Sequence, residues 1–267
     1  ESWPQDPLSQ VALELYYAHS LMAYLQAYSW EIGRRERVET QGPIDLKVWS
    51  KDQIYGEAQR AYARIFARRD ELSGSPVAVL KDYVQPGGYP DHIRGTLRDA
   101  VTYLAVELLA DSAQWRPVQS NELFRLDFGQ LLSGQLAAEA RALDDDSRHP
   151  LLRAIALLDD LERFHQSQGD GHREAALEAR FERLRRLHQH FTERGDRAQI
   201  TAQLAGLLPA YRSLPWWSMG MALQSELVRE GTGDLKQAYA LSQAGKQAFP
   251  DSIGGKLCDG QLRAISA

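Results

Sequence analysis

The end of the sequence carries the pattern that most constrains the fold. One predicted helix has a stripe of apolar and small residues at helical spacing, made of Leu235, Ala238, Ser242, Gly245 and Phe249. Pro250 ends that helix, because proline has no backbone N–H and disfavours helical backbone at the preceding residue. Asp251 or Ser252 can cap the next helix, whose stripe is formed by Ile253, Leu257, Leu262 and Ile265. The small residues predict two closely packed helices, as in helical repeats.

Helical periodicity continues through most of the chain. Apolar residues recur at helical spacing over residues 8–32, 54–65, 97–108, 151–161, 177–191, 200–211 and 216–228. Capping boxes mark the start of two of these helices, with the pairs Ser50 and Gln53, and Thr96 and Asp99. Segment 43–49 alternates apolar and polar residues but has no second strand nearby, so we expect a turn at Gly42 and Pro43 followed by an extended strap. The chain is therefore predicted to be all-α.

The organisation of the helices changes along the chain. The acidic run Asp144–Asp145–Asp146 is typical of a linker, and it predicts subdomains at residues 1–146 and 147–267. In the second subdomain, helices alternate with short turns that contain glycine or proline. This pattern indicates a right-handed, solenoid-type array of antiparallel helix pairs that is tetratricopeptide-like, although no strict period of about 34 residues is visible.

Composition excludes several classes of function. The chain of 267 residues has a net charge of −5 and no basic face that would follow a phosphate backbone, so nucleic-acid binding is disfavoured. The single cysteine, Cys258, rules out an intramolecular disulfide and is expected to be a buried small hydrophobe. No apolar run is long enough to cross a bilayer, so no membrane span is predicted. The first residues show no secretory signal, and we expect a cytoplasmic chain or one whose leader has been removed.

No combination of residues in the sequence predicts catalysis or metal binding. His188 and His190 are two positions apart, so a helix directs them to different sides. Glu162 and His165 have the i, i+3 spacing of carboxylate-bridged metal bundles, but a second such motif is missing and we expect surface or capping roles. The basic run at residues 183–186 is interpreted as solvated helix surface. The sequence therefore predicts neither an enzyme nor a bound metal or cofactor.

One aromatic pair is a candidate interaction surface. Trp216 and Trp217 follow Pro215, and adjacent indoles are frequent at protein docking sites. The alternative is a packed helix start, because proline fits the first helical turn and indoles pack well there. Both interpretations stay open at the level of sequence.

Five segments of the chain resemble the long α-helical region that precedes the β-sandwich domains of large bacterial alpha-2-macroglobulin-like proteins. The resemblance is carried by Leu13–Tyr17 through Tyr28–Trp30, Asp45–Trp49, Thr96–Asp99 with Leu104 and Leu108, Leu157–His165, and Phe249–Cys258. None of these segments is a catalytic signature. The resemblance implies a protein of the cell envelope, periplasm or secreted fraction, lipid-anchored in its full-length form, that acts as an endopeptidase inhibitor by entrapping proteases.

The resemblance also implies which partners to expect. Within the same polypeptide they would be the following β-sandwich domains, and beyond it proteases or other envelope proteins. A bait segment or thioester would lie beyond Ala267, and Cys258 matches no thioester motif, so no functional residue is carried over. We therefore expect a non-catalytic helical scaffold and protein-interaction region. The alternative is a free-standing tetratricopeptide-like adaptor that binds a peptide or a partner protein.

Overall fold

Regular structure in this chain is helical wherever the structure describes it. The computed structural model describes residues 4–35, 45–84 and 87–266, and in these ranges it contains fourteen α-helices, six short 3-10 helices and no strand. The all-α prediction is confirmed. The chain folds into two compact units. Unit 1 comprises Glu1–Leu126 with Leu136–Asp160, and unit 2 comprises Asp127–Gln135 with Leu161–Ala267. The boundary that the acidic run predicted at residue 146 stays a prediction.

Unit 1 is built mainly on packing between three long helices. Its α-helices are α1 Pro7–Ala27, α2 Ser29–Ile32, α3 Lys51–Phe66, α4 Arg69–Leu72, α5 Asp91–Arg94, α6 Leu97–Ala110, α7 Pro117–Glu122 and the first part of α9 Pro150–Ser167. Helix α3 packs against both α1 and α6. The shared core is apolar and fully buried, with Leu21, Ile54, Ala58, Ile65, Leu97 and Val106. Burial of these stripes is the main source of stability for the unit.

Local signals in the sequence located the helix starts of unit 1 correctly. Ser50 caps α3, and its backbone N–H donates in return to the Gln53 side chain at 2.9 Å. Thr96 and Asp99 form the same reciprocal box at the start of α6. The predicted helix over residues 8–32 is interrupted at Tyr28, between α1 and α2.

The predicted turn at Gly42 and Pro43 lies outside the described residues. The described part of the predicted strap, residues 45–49, is not extended: residues 46–48 form a turn in which the Val48 backbone N–H donates to the Asp45 carbonyl at 3.1 Å, so the strap prediction is wrong there.

Unit 2 contains α8 and the helices from the second part of α9 onwards. They are α8 Phe128–Ser133, the rest of α9, α10 Arg173–His190, α11 Arg194–Leu207, α12 Trp217–Gly231, α13 Leu235–Ala248 and α14 Ile253–Ser266. Helix α12 packs against α11, α13 and α14. The three C-terminal helices, α12 to α14, meet one another pairwise, which confirms the closely packed helices expected at the end of the chain.

Small residues set the spacing of the three C-terminal helices. Ala238, Ser242 and Gly245 of α13 are buried, as their stripe predicted, but the same stripe is wrong at Leu235, which is 51% exposed. Ser252, rather than Asp251, caps α14, because its hydroxyl accepts the Gly255 backbone N–H at 3.0 Å. The predicted stripe of α14 is wrong at Leu257, which is 48% exposed. The buried face of that helix consists of Gly254, Gly255 and Cys258. At Gly254 the absence of a side chain lets the backbone approach Met219 of α12, whereas Gly255 lies against the Phe249 carbonyl.

Candidate functional site

The two tryptophans of the predicted interaction surface are buried in unit 2. Trp216 is 3% exposed and Trp217 is 7% exposed. The Trp216 indole N–H donates to the Glu178 carboxylate at 2.8 Å, and its backbone N–H donates to Glu174 at 2.7 Å. These contacts favour the alternative interpretation, a packed helix start. A docking role for the pair stays a prediction and requires that these side chains become exposed.

Charged residues expected at the surface are buried between α9 and α10. Glu162 is 5% exposed and Arg183 is 1% exposed, and their Oε2 and Nη1 atoms lie 3.1 Å apart. Arg180 also binds the Glu162 carboxylate, through Nε at 2.7 Å. The predictions of a surface role for Glu162 and of a solvated surface at Arg183 are therefore wrong. Glu162 and Arg183 are 21 positions apart in the sequence and form an ion pair between the two helices. A local sequence pattern does not predict such a pair.

The prediction of a surface role for His165 is also wrong, because this side chain is buried. His165, 2% exposed, lies against His172 with their Nδ1 atoms 3.1 Å apart. In the described part of the chain no group of three His, Cys, Asp or Glu side chains could hold a metal ion. Cys258 is completely buried, which confirms the expectation of a small hydrophobe. Burial raises the pKa of its thiol to about 11, so the nucleophilic thiolate is disfavoured at neutral pH.

A groove rich in arginine is one candidate site in unit 1. Its volume of about 660 Å³ is in the size range of small-ligand and peptide sites. We call it the arginine groove, and its lining consists of Arg60, Ala63, Arg64, Phe66, Ala67, Arg69, Asp70, Ala140, Arg141, Leu143 and Asp144. The side chains of Phe66, Ala140 and Leu143 are buried and form an apolar floor, whereas most of the charged residues are exposed. The groove therefore combines an apolar base with a charged, open rim.

The two walls of the arginine groove are fixed to the core of unit 1. One wall is the end of α3 with the start of α4, and the other is the 3-10 helix Ala137–Ala142 with the residues after it. The second wall is anchored at both ends. The Leu136 backbone N–H donates to buried Asp159 at 2.9 Å, and buried Arg153 donates to the Leu143 carbonyl at 2.7 Å. A short irregular segment is thereby held in one position.

Most arginines of the groove are held by carboxylates that are not part of its lining. Arg64 binds both Glu14 oxygens, through Nε at 2.7 Å and Nη2 at 2.8 Å. Arg69 contacts Asp160 at 3.2 Å and lies over the Phe66 ring, and Arg60 contacts Glu57 at 2.8 Å. Arg141 is exposed and makes no ion pair with any described residue. Glu57 also accepts from Arg64 Nη2 at 3.3 Å, so this one carboxylate of the chain binds both Arg60 and Arg64.

Sequence reasoning missed this groove. Arg60 and Arg64 lie one helical turn apart, which is a visible signal but also an ordinary pattern for an exposed helix surface. The opposite wall includes Ala140, Arg141, Leu143 and Asp144, which are distant from α3 in the sequence. Of these residues, only Asp144 had an interpretation from the sequence, as part of a linker. The floor residues do not form a motif. Only the tertiary structure brings these elements together.

Comparisons with known proteins do not connect the fold or the groove to a family. No protein-family model, no curated protein and no solved structure matches the chain. In the described ranges, no helix is both long and apolar enough to cross a membrane.

Proposed function

We propose that this chain is a non-catalytic helical scaffold that binds other proteins. The observation that carries the proposal is the regular packing of the three C-terminal helices in unit 2. Helices α12, α13 and α14 are joined by short turns and pack pairwise. Helical repeats of this kind cannot bury their apolar faces alone, and they provide extended binding surfaces when stacked.

The register of the three C-terminal helices supports a tetratricopeptide-like arrangement. The Ser218 and Ser252 hydroxyls lie 2.8 Å apart, an offset of 252 − 218 = 34 residues along the chain. Gln261, later on α14, donates to the Ala222 carbonyl, later on α12, so the two helices run in the same direction. The offset of 34 residues at the start of this pair is the period of tetratricopeptide repeats. Helix α13 runs antiparallel to both, because Ser242 contacts Ser225 and Gln261, whereas the later residue Gly245 lies beside the earlier residues Met221 and Cys258. We infer that these helices form one repeat and the first helix of the next, in a right-handed solenoid.

The resemblance in the sequence supplies the biological setting of the proposal. We propose that the scaffold is the helical region of a bacterial alpha-2-macroglobulin-like protein in the cell envelope, where β-sandwich domains of the same polypeptide follow it. The segments that carry the resemblance lie mostly on helices α1, α2, α6, α9 and α14. This helical placement is what such a region requires. Proteases or other envelope proteins are the proposed external partners.

The coding sequence distinguishes this proposal from its main alternative. The packing of α12 to α14 is equally compatible with a free-standing adaptor that binds a peptide. β-Sandwich domains encoded directly after Ala267 support the macroglobulin-like scaffold. A stop codon at that position contradicts it and supports the adaptor.

A protease assay tests the non-catalytic part of the proposal. The purified chain is incubated with several endoproteases, and cleavage of a large protein substrate and of a small peptide substrate is followed. We expect no inhibition of either reaction and no hydrolysis by the chain itself, because the described segments offer packed helices and short turns in place of a bait. Stoichiometric loss of activity towards the large substrate alone would show that the helices themselves trap proteases.

A further inference from the structure

We propose that the exposed face of α1 binds a second copy of this chain, with the two α1 helices antiparallel about a twofold axis. This inference goes beyond the proposed function, because it concerns self-association through unit 1 and does not depend on the helical array of unit 2. The observation that carries it is a stripe of six residues on α1 and the following α2. We call this stripe the α1 seam, and it consists of Leu13, Tyr16, Ser20, Ala23, Ala27 and Trp30.

The outer face of α1 differs from an ordinary solvated helix surface because it carries neither Asp, Glu, Lys nor Arg. Glu14 is the single residue of these four types among the 21 residues of α1. It is buried on the opposite face, where both oxygens of its carboxylate accept from Arg64. Tyr16 is 63% exposed and Leu13 is 40% exposed. A helix with apolar residues on all its faces is typically covered on all its faces, so this outer face is expected to have a partner.

The spacing of the α1 seam indicates that the partner is another helix. Its six residues follow one another at intervals of three and four positions in strict alternation. This is the a and d pattern of a coiled coil, which keeps one stripe of a helix against a partner helix along its length. Tyr16, Ala23 and Ala27 are exposed and Ser20 is half-buried, so no described helix of the chain covers this stripe.

The order of large and small residues along the α1 seam selects a second copy of the chain. A twofold axis makes each residue of one copy face the residue equally far beyond the axis on the other copy. With the axis between Ser20 and Ala23, Tyr16 of one copy lies over Ala27 of the other, because each is four positions from the nearer of these two. Leu13 and Trp30 are each seven positions from them and also face each other. The large ring of Tyr16 therefore meets a small side chain, and small residues at the axis let the two backbones approach.

Charge and residue size argue against other occupants of the α1 seam. A helix that lies on a bilayer surface carries Lys and Arg on its polar face and bulky apolar residues on the other. Helix α1 has neither Lys nor Arg, and the middle of its seam holds Ser20 and Ala23. Nucleic acids and charged peptides bind through charged groups that this face does not offer.

The area of the α1 seam is sufficient for a weak, specific dimer. Specific interfaces bury about 1,200 Å² or more in total, so each copy has to contribute about 600 Å². Tyr16 is 63% and Trp30 is 72% exposed, and an aromatic side chain offers about 150–250 Å², so these two supply about 200–340 Å² per copy. The other four seam positions and the residues beside them have to supply the remainder. The total lies near the lower limit, and we expect a dissociation constant of about 1–100 µM.

Sedimentation equilibrium of the intact chain tests the proposal. We expect a monomer–dimer equilibrium between about 1 µM and about 1 mM. In Ala23→Glu, two carboxylates would meet beside the axis, and the dissociation constant should rise about tenfold or more while far-ultraviolet circular dichroism stays unchanged. Ala23→Lys should have the same effect, for the same reason. Ala205→Glu is the matched control, because Ala205 is an exposed alanine on helix α11, and it should leave the equilibrium unchanged.

Mixing the two variants at residue 23 tests the twofold arrangement itself. Opposite charges then meet beside the axis, so a heterodimer of Ala23→Glu with Ala23→Lys should form at concentrations where each variant alone is monomeric. A general effect of either substitution on folding would not be repaired by mixing. Failure of the mixture to associate would contradict the antiparallel pairing.

The remaining results also separate this inference from the proposed function. A chain that is monomeric at about 1 mM, or equal effects of Ala23→Glu and Ala205→Glu, would overturn the dimer. A monomer that sediments with phosphatidylcholine vesicles would overturn it as well and identify a lipid surface as the occupant. The coding-sequence test of the helical scaffold is independent of all these results, so loss of the dimer would leave the scaffold proposal intact.

Discussion

Two helix pairs in unit 2 achieve close packing by opposite chemical means. Between α9 and α10, the long side chains of Glu162 and Arg183 are buried and neutralise each other. Between α12 and α14, the closest approach occurs at Gly254, which has no side chain. The charged pair between α9 and α10 should be most sensitive to loss of one of its charged partners. The glycine contact between α12 and α14 should be most sensitive to an added side-chain atom.

The charged pair should show the largest effect. Glu162→Ala removes the carboxylate that binds Arg183 and Arg180, and leaves buried positive charge behind. We expect a loss of about 3–5 kcal/mol in the free energy of unfolding, measured by denaturant titration. Asp259→Ala, which removes the partner of the exposed side chains of Lys246 and Arg263, is the control and should change stability little. Equal effects of the two substitutions would mean that burial does not distinguish these pairs.

The glycine contact between α12 and α14 should show the second-largest effect on stability. A methyl group at residue 254 would overlap the backbone of Met219, so Gly254→Ala must push α14 away from α12. We expect a loss of about 1–3 kcal/mol in unfolding free energy. Gly260→Ala provides the matched control in the same helix, because nothing lies within 4 Å of its added methyl group. That variant should gain up to about 1 kcal/mol, since alanine stabilises a helix interior. If Gly254→Ala is also neutral or stabilising, α14 is not seated on α12 as described.

The two helix pairs also show which features of the fold can be predicted from the sequence and which cannot. Periodicity predicted most helices, and residues three apart predicted the caps at Ser50 and Thr96, because both signals are local. Pairing of Glu162 with Arg183 depends on which helices become neighbours, and local spacing does not encode it. Leu257 was expected to be buried but is exposed. The close approach of the α14 backbone to α12 at Gly254 places the glycine face of the helix inward and Leu257 outward. The arginine groove required two distant segments to meet, and its local signal, Arg60 and Arg64 one helical turn apart, is an ordinary pattern of an exposed helix surface.

Helix caps in unit 1 extend the comparison to smaller effects. The hydroxyl of Ser50 accepts the Gln53 backbone N–H and carries no charge at any ordinary pH. Ser50→Ala should lower the free energy of unfolding by about 0.5–2 kcal/mol, at neutral and at mildly acidic pH alike. Ser50→Asn keeps a capping acceptor and should recover most of this loss. If Ser50→Ala proves neutral in a denaturant titration, α3 does not depend on this cap.

The cap of α9 should respond to pH, with the smallest effect at neutrality. The Leu151 backbone N–H can only donate, so His149 Nδ1 accepts it at 3.1 Å, and Nε2–H donates to the Gln119 carbonyl at 2.9 Å. Protonation of Nδ1 would break this cap. Burial, the largest cause, lowers the pKa of His149 below its ordinary value of 6.5.

A lowered pKa in the folded state fixes the sign of the pH dependence. Below pH 6.5 the unfolded chain binds a proton at residue 149 that the folded chain resists, so the free energy of unfolding falls as the pH falls, until the folded-state pKa is passed. Denaturant titrations at several pH values should show this slope, and His149→Asn, which retains a capping acceptor, should reduce it. His188→Gln is the comparison, because burial also lowers the pKa of His188, although its side chain caps no helix. Both histidines should contribute to the slope, but only at His149 does protonation also remove a helix cap. A slope left unchanged by His149→Asn would show that this imidazole titrates alike in the folded and unfolded chain, and that its contact with Leu151 does not stabilise α9.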